Sequence, residues 1–140
     1  MAIERYSIRI ARLDQREDAV FEFDDARPGH LRALTLHCFG REFVGDSRDY
    51  FESMCLIRNE LEEIGWRPVC YGASLNVYPS GMCRDMGRGL KAYRVHPGCH
   101  ARMTDLVSIF DTGPDVNPAS VVDQRKFWND WLLSVRQTKP

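Results

Sequence analysis

The sequence predicts an α+β fold with a mainly antiparallel sheet. Segments within residues 6–39 alternate apolar and polar side chains with the period of two that is typical of strands. Two other segments, about 47–64 and 118–136, repeat apolar residues at the three- and four-residue spacing of helices. We therefore expect five or six strands packed by two helices. Because 140 residues is a common size for one domain, residues 1–140 should form a single globular domain.

The first strands are predicted by simple alternation. Tyr6, Ile8 and Ile10 alternate with polar or small neighbours, which indicates a strand with one buried face. A polar turn separates this segment from residues 19–23, and the two together predict a hairpin. Residues 31–39 predict a third strand after a second turn. On its buried face we expect Leu34, Leu36 and Cys38.

The first helix has the clearest pattern in the chain. Asp46 or Ser47 is a suitable capping residue at its start, and Gly65 is suited to end it. Its predicted buried stripe consists of Tyr50, Met54, Ile57, Leu61 and Ile64. Its opposite face, expected to contact water, consists of Glu52, Arg58, Asn59, Glu62 and Glu63.

The second half of the chain predicts strands at 66–73 and 90–95. Residues 104–110 fit either a short helix or a strand, and strand is favoured. The last helix should begin near Asn117-Pro118 or at a capping box opened by Ser120. Its predicted buried stripe consists of Val121, Trp128, Leu132 and Val135, widened by Phe127 and Trp131.

Composition and charge exclude several classes of protein. The net charge is −1, whereas a dedicated nucleic-acid binder normally carries a strongly basic face. No apolar run approaches the ~18 residues of a membrane span, and the first residues lack a signal-peptide pattern. We therefore expect a cytoplasmic protein that binds neither membrane nor nucleic acid. The charge is unevenly distributed, because residues 1–65 carry nine arginines against fourteen carboxylates.

The cysteines and histidines do not form a recognisable catalytic or metal-binding motif. The five cysteines contain no CxxC pair, and the odd number favours reduced thiols. His96 and His100 have the spacing of half a zinc site, but the Pro-Gly between them is also typical of a turn. We expect no metal ion, no cofactor and no catalytic residues, so a binding protein is favoured over an enzyme.

The glycine-rich segment 71–93 is the most unusual part of the sequence. It contains four glycines, three tyrosines and four charged residues, and it is irregular for a helix and long for a hairpin turn. One interpretation is a long connection with Met82 and Met86 in the core and its charges in water. The alternative is a small enzyme or sensor whose segment 72–93 binds a phosphorylated ligand or nucleotide. The ligand-binding residues would be Asn76, Tyr78, Ser80, Arg84, Arg88, Lys91 and Tyr93.

Acidic residues near the first two turns are candidates for a protein interface. They are Asp14, Glu17, Asp18, Glu22, Asp24 and Asp25. A divalent ion or an acid–base pair would also use carboxylates, but solvated turn charges are the simpler interpretation. Such a surface favours encounter with a basic partner.

Several strings in the second half resemble a group of small bacterial proteins. They are Asn76–Met82, Arg84–Gly87, Gly89–Tyr93, Leu106–Asp111 and Gln124–Phe127. That group is similar to the immunity proteins encoded beside secreted polymorphic toxins. The resemblance implies a cytoplasmic protein that binds a cognate protein toxin and blocks its active site. It implies no catalytic residues.

Overall fold

The computed structural model describes residues 2–136 and contains a five-stranded antiparallel sheet with the order β4-β3-β2-β1-β5. Its strands are β1 (Ile3–Arg12), β2 (Gln15–Asp24), β3 (Arg32–Cys38), β4 (Arg41–Ser47) and β5 (Arg67–Val69). The predicted hairpin is confirmed, because every residue of β1 from Ile3 to Arg12 pairs with a residue of β2.

A smaller antiparallel sheet has the order β6-β7-β8. Its strands are β6 (Val77–Tyr78), β7 (Lys91–Arg94) and β8 (Leu106–Ser108). The helices are α1 (Tyr50–Glu63), α2 (Gly81–Asp85) and α3 (Val121–Arg136), and 3-10 turns span Tyr71–Ala73 and Met103–Asp105. The α+β class is therefore as predicted, but residues 2–136 contain eight strands in two sheets rather than five or six strands, and α2 is a third helix. Within residues 2–136, no helix has both the length and the apolar character needed to cross a bilayer.

One hydrophobic core joins the two sheets. Ile8 and Ile10 of β1 are buried on the sheet face that α1 covers, as their alternation predicts. Val77 and Ala92 of the smaller sheet belong to the same cluster of buried residues. The predicted stripe of α1 is buried except at its end, where Ile64 is 39% exposed. Burial of this one apolar face is the main reason why α1 forms on the sheet.

The sequence did not predict strand β4, and this omission also misplaced the start of α1. Asp46 and Ser47 were expected to cap the helix, but both lie in β4. The actual N-cap is Asp49, whose Oδ1 accepts a 2.8 Å hydrogen bond from the Glu52 amide. Gly45 allows β4 to pack closely against α1, because a Cβ there would collide with the backbone of Ser53 in α1.

Arg58 was expected to contact water, and this expectation is wrong. The residue is only 3% exposed, in the middle of α1. Its guanidinium donates to the carbonyl oxygens of Gly72 (3.2 Å) and Ala119 (2.9 Å), and to Gln124 in α3. The polar contacts of Arg58 therefore lie between α1, the first 3-10 turn and the start of α3.

The C-terminal helix begins at Val121, with Ser120 Oγ accepting from the Asp123 amide at 3.1 Å as the capping prediction requires. Its most buried residues are Val121, Gln124 and Trp131. Trp128 is half-buried and stacks on Trp131 with ring centroids 4.9 Å apart. The buried face of α3 is thus centred on Gln124 and Trp131, beside the predicted stripe.

Two segments predicted as single elements are divided. Residues 66–73 form the short strand β5 followed by a 3-10 turn, rather than one strand. Residues 104–110 combine both alternatives, because the 3-10 turn ending at Asp105 leads directly into β8. The strand predicted at 90–95 is observed as β7.

Candidate functional site

The glycine-rich segment folds into short regular elements around a turn. Ser80 caps α2, because its Oγ accepts a 3.1 Å hydrogen bond from the Cys83 amide. The chain then reverses through Arg88 and Gly89, which have positive φ angles of 58° and 71°. Gly89 is required there twice over, since a Cβ would also lie 2.6 Å from Asp49 Oδ1. This turn leads directly into β7.

Arg84 ties α2 to the start of α1. Its Nη1 lies 3.2 Å from Asp49 Oδ2 and 3.3 Å from Glu52 Oε2. Its guanidinium also packs over the rings of Phe51 and Tyr78, at 5.1 and 5.3 Å. Burial lowers the pKa of Arg84, but the contacts with Asp49, Tyr78 and Glu52 together outweigh this effect and the pKa is raised. Arg84 therefore remains charged and holds the segment in place.

Arg88 makes the second tie between the segment and the main sheet. Its guanidinium forms an ion pair with Asp25, which follows β2. Its carbonyl oxygen accepts a 2.9 Å hydrogen bond from the amide of Tyr50, the first residue of α1. The predicted anion cluster is thus largely neutralised, since Arg84 and Arg88 have carboxylate partners and Lys91 alone of the three has no such partner among residues 2–136.

The structure brings together only part of the predicted ligand-binding set. Ser80, Arg88, Lys91 and Tyr93 line one groove. Asn76 is directed elsewhere, with its Nδ2 donating to the carbonyl of Val95 at 3.3 Å. Tyr78 stacks on Trp128 and packs edge-on against Phe51, with both centroid distances at 5.1 Å. Binding of a phosphorylated ligand by the complete set stays a prediction.

That groove is lined by exposed methionines, and we call it the methionine groove. Met82, Met86 and Met103 are 72%, 80% and 74% exposed. Leu90, Tyr93 and Leu106 form its other apolar walls, and its volume is about 510 Å³. Exposed methionines at this density are unusual, because burial of such a side chain contributes about 1.5–3 kcal/mol to folding.

The methionine groove was missed by sequence reasoning. Met82 and Met86 were expected in the core, and this expectation is wrong because both point away from it. The available signal was their spacing of four residues after the helix cap Ser80, which places them on one side of a short helix. Nothing in the sequence linked these two methionines to Met103, which lies in the 3-10 turn Met103–Asp105.

The charged side chains that line the methionine groove are both basic. They are Arg88, which is paired with Asp25, and Lys91, which is exposed. The hydroxyl of Tyr93 contacts the sulfur of Met103 at 3.8 Å. The groove therefore offers an apolar, deformable surface with a positive edge.

The predicted acidic interface residues lie at two ends of the β1–β2 hairpin. Asp14 is in the turn of the hairpin and Glu17 is close to it, whereas Asp24 pairs with Ile3 at the opposite end. The ten residues of β2 separate these ends by roughly 30 Å. The six carboxylates therefore do not form one patch.

Several of these carboxylates have partners within the chain. The first is Asp18, whose Oδ1 lies 3.5 Å from Arg9 Nε. Glu22 contacts Arg5 Nε at 2.5 Å, which lowers the pKa of that carboxyl. Asp24 Oδ1 accepts from two backbone amides, both at 3.1 Å. Asp14 and Glu17 have no hydrogen-bond or ion-pair partner in residues 2–136, so they are the most available of the six.

The described residues do not assemble a metal site. Across residues 2–136, no group of three or more His, Cys, Asp or Glu side chains is arranged to hold an ion. All five cysteines are free thiols, three of them buried. Cys83 lines the methionine groove.

No protein-family model matches the chain, and no curated protein matches its sequence. The fold and the site define an α+β protein with an exposed methionine-lined groove. The function is therefore inferred from that groove and from the residues around it.

Proposed function

We propose that this chain is a binding protein of the immunity type, which inhibits a cognate protein toxin by covering its active site. The observation that carries the proposal is the methionine groove, where three methionines more than 70% exposed surround one cavity. Large apolar side chains left in water at one place are characteristic of protein-binding surfaces. The sequence resemblance supports the choice of a toxin as the partner.

Methionine is well suited to the contact that we propose. Its unbranched thioether side chain adapts to irregular partner surfaces and gains from contact with aromatic rings. Met82 in α2, Met86 at its C-cap and Met103 all line the groove. An apolar side chain of the partner inserted between them would be surrounded by three flexible walls. The groove would then act as the central anchor of a larger interface, of the usual size of about 800 Å² per partner.

The charges of the groove specify the partner further. Lys91 is exposed at its edge, and Arg88 has already been neutralised by Asp25. The segment of the toxin that enters the groove should therefore carry a carboxylate beside its apolar anchor, because complementary charge accelerates encounter and fixes orientation. The acidic hairpin tip at Asp14 and Glu17 would remain outside this contact, roughly 30 Å from the end of the hairpin where Asp25 lies.

The proposal is tested by site-specific photocrosslinking in the source cells. A photoreactive amino acid at Thr104, which is exposed and follows Met103 of the groove, should capture one protein at a defined residue. The triple variant Met82→Gln, Met86→Gln, Met103→Gln keeps side-chain length and removes the apolar surface, so it should lose the crosslink. The matched control is Val122→Gln with Leu133→Gln, because these apolar residues of α3 are 72% and 56% exposed.

The captured protein is then purified and assayed. A toxin should be inhibited by one equivalent of the wild-type chain, and its toxicity on co-expression should be suppressed by the wild type but not by the triple variant. Capture that survives the triple variant would overturn the groove as interface. A crosslink to a second copy of the chain would instead assign the groove to self-association. Replacing Asp14 and Glu17 by amides tests the hairpin tip as the alternative interface. Loss of inhibition in that variant would place the interface there instead of at the methionine groove.

A further inference from the structure

A second groove lies at the tip of the β1–β2 hairpin, and it is basic. Three guanidinium groups line it, from Arg12 in β1, Arg16 in β2 and Arg67 in β5. The lining includes a single carboxylate, that of Glu62. We call this the arginine groove; its volume is about 570 Å³. The arginine groove lies at the end of the hairpin opposite Asp25 and the methionine groove. An inference about the arginine groove therefore does not rest on the function proposed for the methionine groove.

Arg12 is held in place while its terminal nitrogens stay available. Its Nε donates a 3.0 Å hydrogen bond to Gln15 Oε1, across the hairpin turn. Its guanidinium lies over the ring of Trp66, 5.1 Å from the centroid. Its stem packs on Gly65, where a Cβ would lie 3.2 Å from Arg12 Cδ. Its two Nη atoms have no hydrogen-bond partner within residues 2–136, so four N–H groups can reach a ligand.

Arg16 is fixed in a similar way. Its Nη1 donates to the carbonyl oxygens of Leu13 and Gln15, at 3.0 and 2.9 Å. Within the described part of the chain its Nε and Nη2 make no hydrogen bond, and no carboxylate lies within ion-pair distance. The side chain is thus ordered by neutral carbonyls that leave its positive charge uncompensated.

Arg67 forms part of the wall of the arginine groove, but its charge is neutralised by Glu62. Glu62 binds it through both carboxylate oxygens, with Oε1 2.7 Å from Nη2 and Oε2 3.0 Å from Nε. This pair accounts for the one carboxylate of the lining. Arg12 and Arg16 consequently give the lining a positive charge of two that no carboxylate of the lining balances. The carboxylates of Asp14 and Glu17 belong to the same hairpin tip but lie outside the lining.

We propose that the arginine groove binds a phosphate-bearing small molecule. Planar guanidinium forks bind phosphate oxygens in pairs, with charge-assisted hydrogen bonds about twice as strong as neutral ones. The volume is within the range of small-molecule sites, about 300–1,000 Å³. Arg12 and Arg16 are each oriented before binding, so little side-chain freedom is lost when the ligand arrives. Leu13, 94% exposed at the edge of the groove, is positioned to contact an apolar part of the same ligand.

The test uses inorganic pyrophosphate as the probe, at constant ionic strength, with isothermal titration calorimetry. Wild type should bind it. Arg12→Gln with Arg16→Gln should weaken binding about tenfold or more, since two charge-assisted contacts are lost. The matched control is Arg41→Gln with Arg48→Gln, which removes the same charge from exposed positions outside the groove. This control should change affinity less than about twofold.

A second variant separates geometry from charge. Arg12→Lys keeps the positive charge but removes the planar fork, so it should also weaken pyrophosphate binding. Circular dichroism and the melting temperature establish that each variant is folded. Equal weakening by the control pair would show only general attraction of anions and would overturn the site. Absence of binding to the wild type, or equally tight binding of citrate, would overturn the assignment to phosphate.

Discussion

Arg58 and Gln124 meet in the protein interior, with Arg58 Nη1 2.6 Å from Gln124 Oε1. They are 3% and 1% exposed and come from α1 and α3, 66 residues apart in the chain. The Gln124 amide nitrogen lies 2.9–3.0 Å from three carbonyl oxygens, those of Gly72, Ser74 and Val77, which share its two N–H groups. Burial removes water from the charged guanidinium and so lowers the pKa of Arg58, and within residues 2–136 no carboxylate contacts it. The two side chains therefore hold the smaller sheet, α1 and α3 together.

Loss of Gln124 should strongly destabilise the fold. Gln124→Leu removes one donor from each of three buried carbonyls, although those of Gly72 and Ser74 each keep another, and it removes an acceptor from a buried cation. We expect the free energy of unfolding to fall by about 3 kcal/mol. Urea denaturation measures this value. Asn129→Leu, an exposed amide on the same helix, is the control and should change stability by less than about 0.5 kcal/mol.

The same pair allows a test of coupling. Arg58→Met alone should also destabilise the protein, because Gln124 and Ala119 lose a donor. In the double variant the buried charge and its unsatisfied partner disappear together. Its loss of stability should therefore be smaller than the sum of the single losses, by about 1–3 kcal/mol. Additive losses would mean that the two side chains act independently.

The contact between Asp49 and Arg84 should stabilise the glycine-rich segment as well as α1. Asp49→Asn keeps an oxygen that can cap the helix but loses the ion pair with Arg84. Asp49→Ala loses both contacts. We expect costs of about 1 kcal/mol for the amide and about 2 kcal/mol for alanine, since a helix cap contributes about 1 kcal/mol. Thermal and urea unfolding of the two variants give the difference.

The informative result is which of the two variants, Asp49→Asn or Asp49→Ala, loses more stability. Equal losses for amide and alanine would mean that the capping hydrogen bond to Glu52 adds nothing to stability. Arg84→Met should resemble the amide variant, because it removes the ion pair and retains the cap. Stability of this variant equal to wild type would contradict the tie that we assign to Arg84.

Two buried thiols should make the protein less stable in alkali. Burial raises the pKa of Cys55 and of Cys70 from 9.0 to about 11. A folded-state pKa above the unfolded one gives stability that is complete below pH 9 and is lost as the pH rises to about 11. The unfolded state releases these protons first, so each thiol contributes up to about 2–3 kcal/mol to the loss.

The measurement is urea unfolding at intervals from pH 8 to pH 11. Cys55→Ala with Cys70→Ala should be less stable at pH 8, because two core side chains are shortened, but its stability should fall less steeply above pH 9. Ile57→Val, which shortens a core side chain without removing a titratable group, is the control and should keep the wild-type slope. Tyr6, whose pKa is raised to about 12 by its hydrogen bond to Glu4, adds a loss at higher pH in all variants. Identical slopes for the wild type and the double variant would contradict the role of the thiols.

Local periodicity was sufficient to predict much of the main sheet and the covering helix. The alternation around Ile10 and the stripe through Met54 and Ile57 are each set by burial of one face, which the sequence displays directly. Strand β4 was not recognised, because Gly45 interrupts its apolar pattern. The need for that glycine is visible only when the backbone of Ser53 is placed beside it.

The candidate site could not be predicted, because long-range contacts determine it. Arg58 has the sequence context of a solvated helix face, and its partners Gly72, Ala119 and Gln124 are distant in the chain. Met82 and Met86 were assigned to the core on hydrophobicity alone. Their exposure results from the ties that Arg84 and Arg88 make to Asp49 and Asp25, which fix how α2 lies on the protein.

A final prediction concerns the turns of the β1–β2 and β3–β4 hairpins, which lie at the same end of the main sheet. Leu13 and Phe39 both have positive φ angles, 53° and 55°, a conformation that costs a side chain with a Cβ roughly 1–2 kcal/mol. Asparagine tolerates this conformation better. Leu13 is 94% exposed and has little packing to lose, so Leu13→Asn should raise the free energy of unfolding by about 0.5–1 kcal/mol.

The corresponding change at Phe39 should give no such gain. Phe39 packs edge-on against Trp66, with ring centroids 5.1 Å apart and an interplanar angle of 64°. Such pairs contribute about 0.5–1.5 kcal/mol, which offsets the relief of backbone strain. Phe39→Asn should therefore leave the unfolding midpoint in urea nearly unchanged, whereas Leu13→Asn shifts it upward. A downward shift for Leu13→Asn would show that its exposed side chain contributes to folding in a way that the backbone angle does not explain.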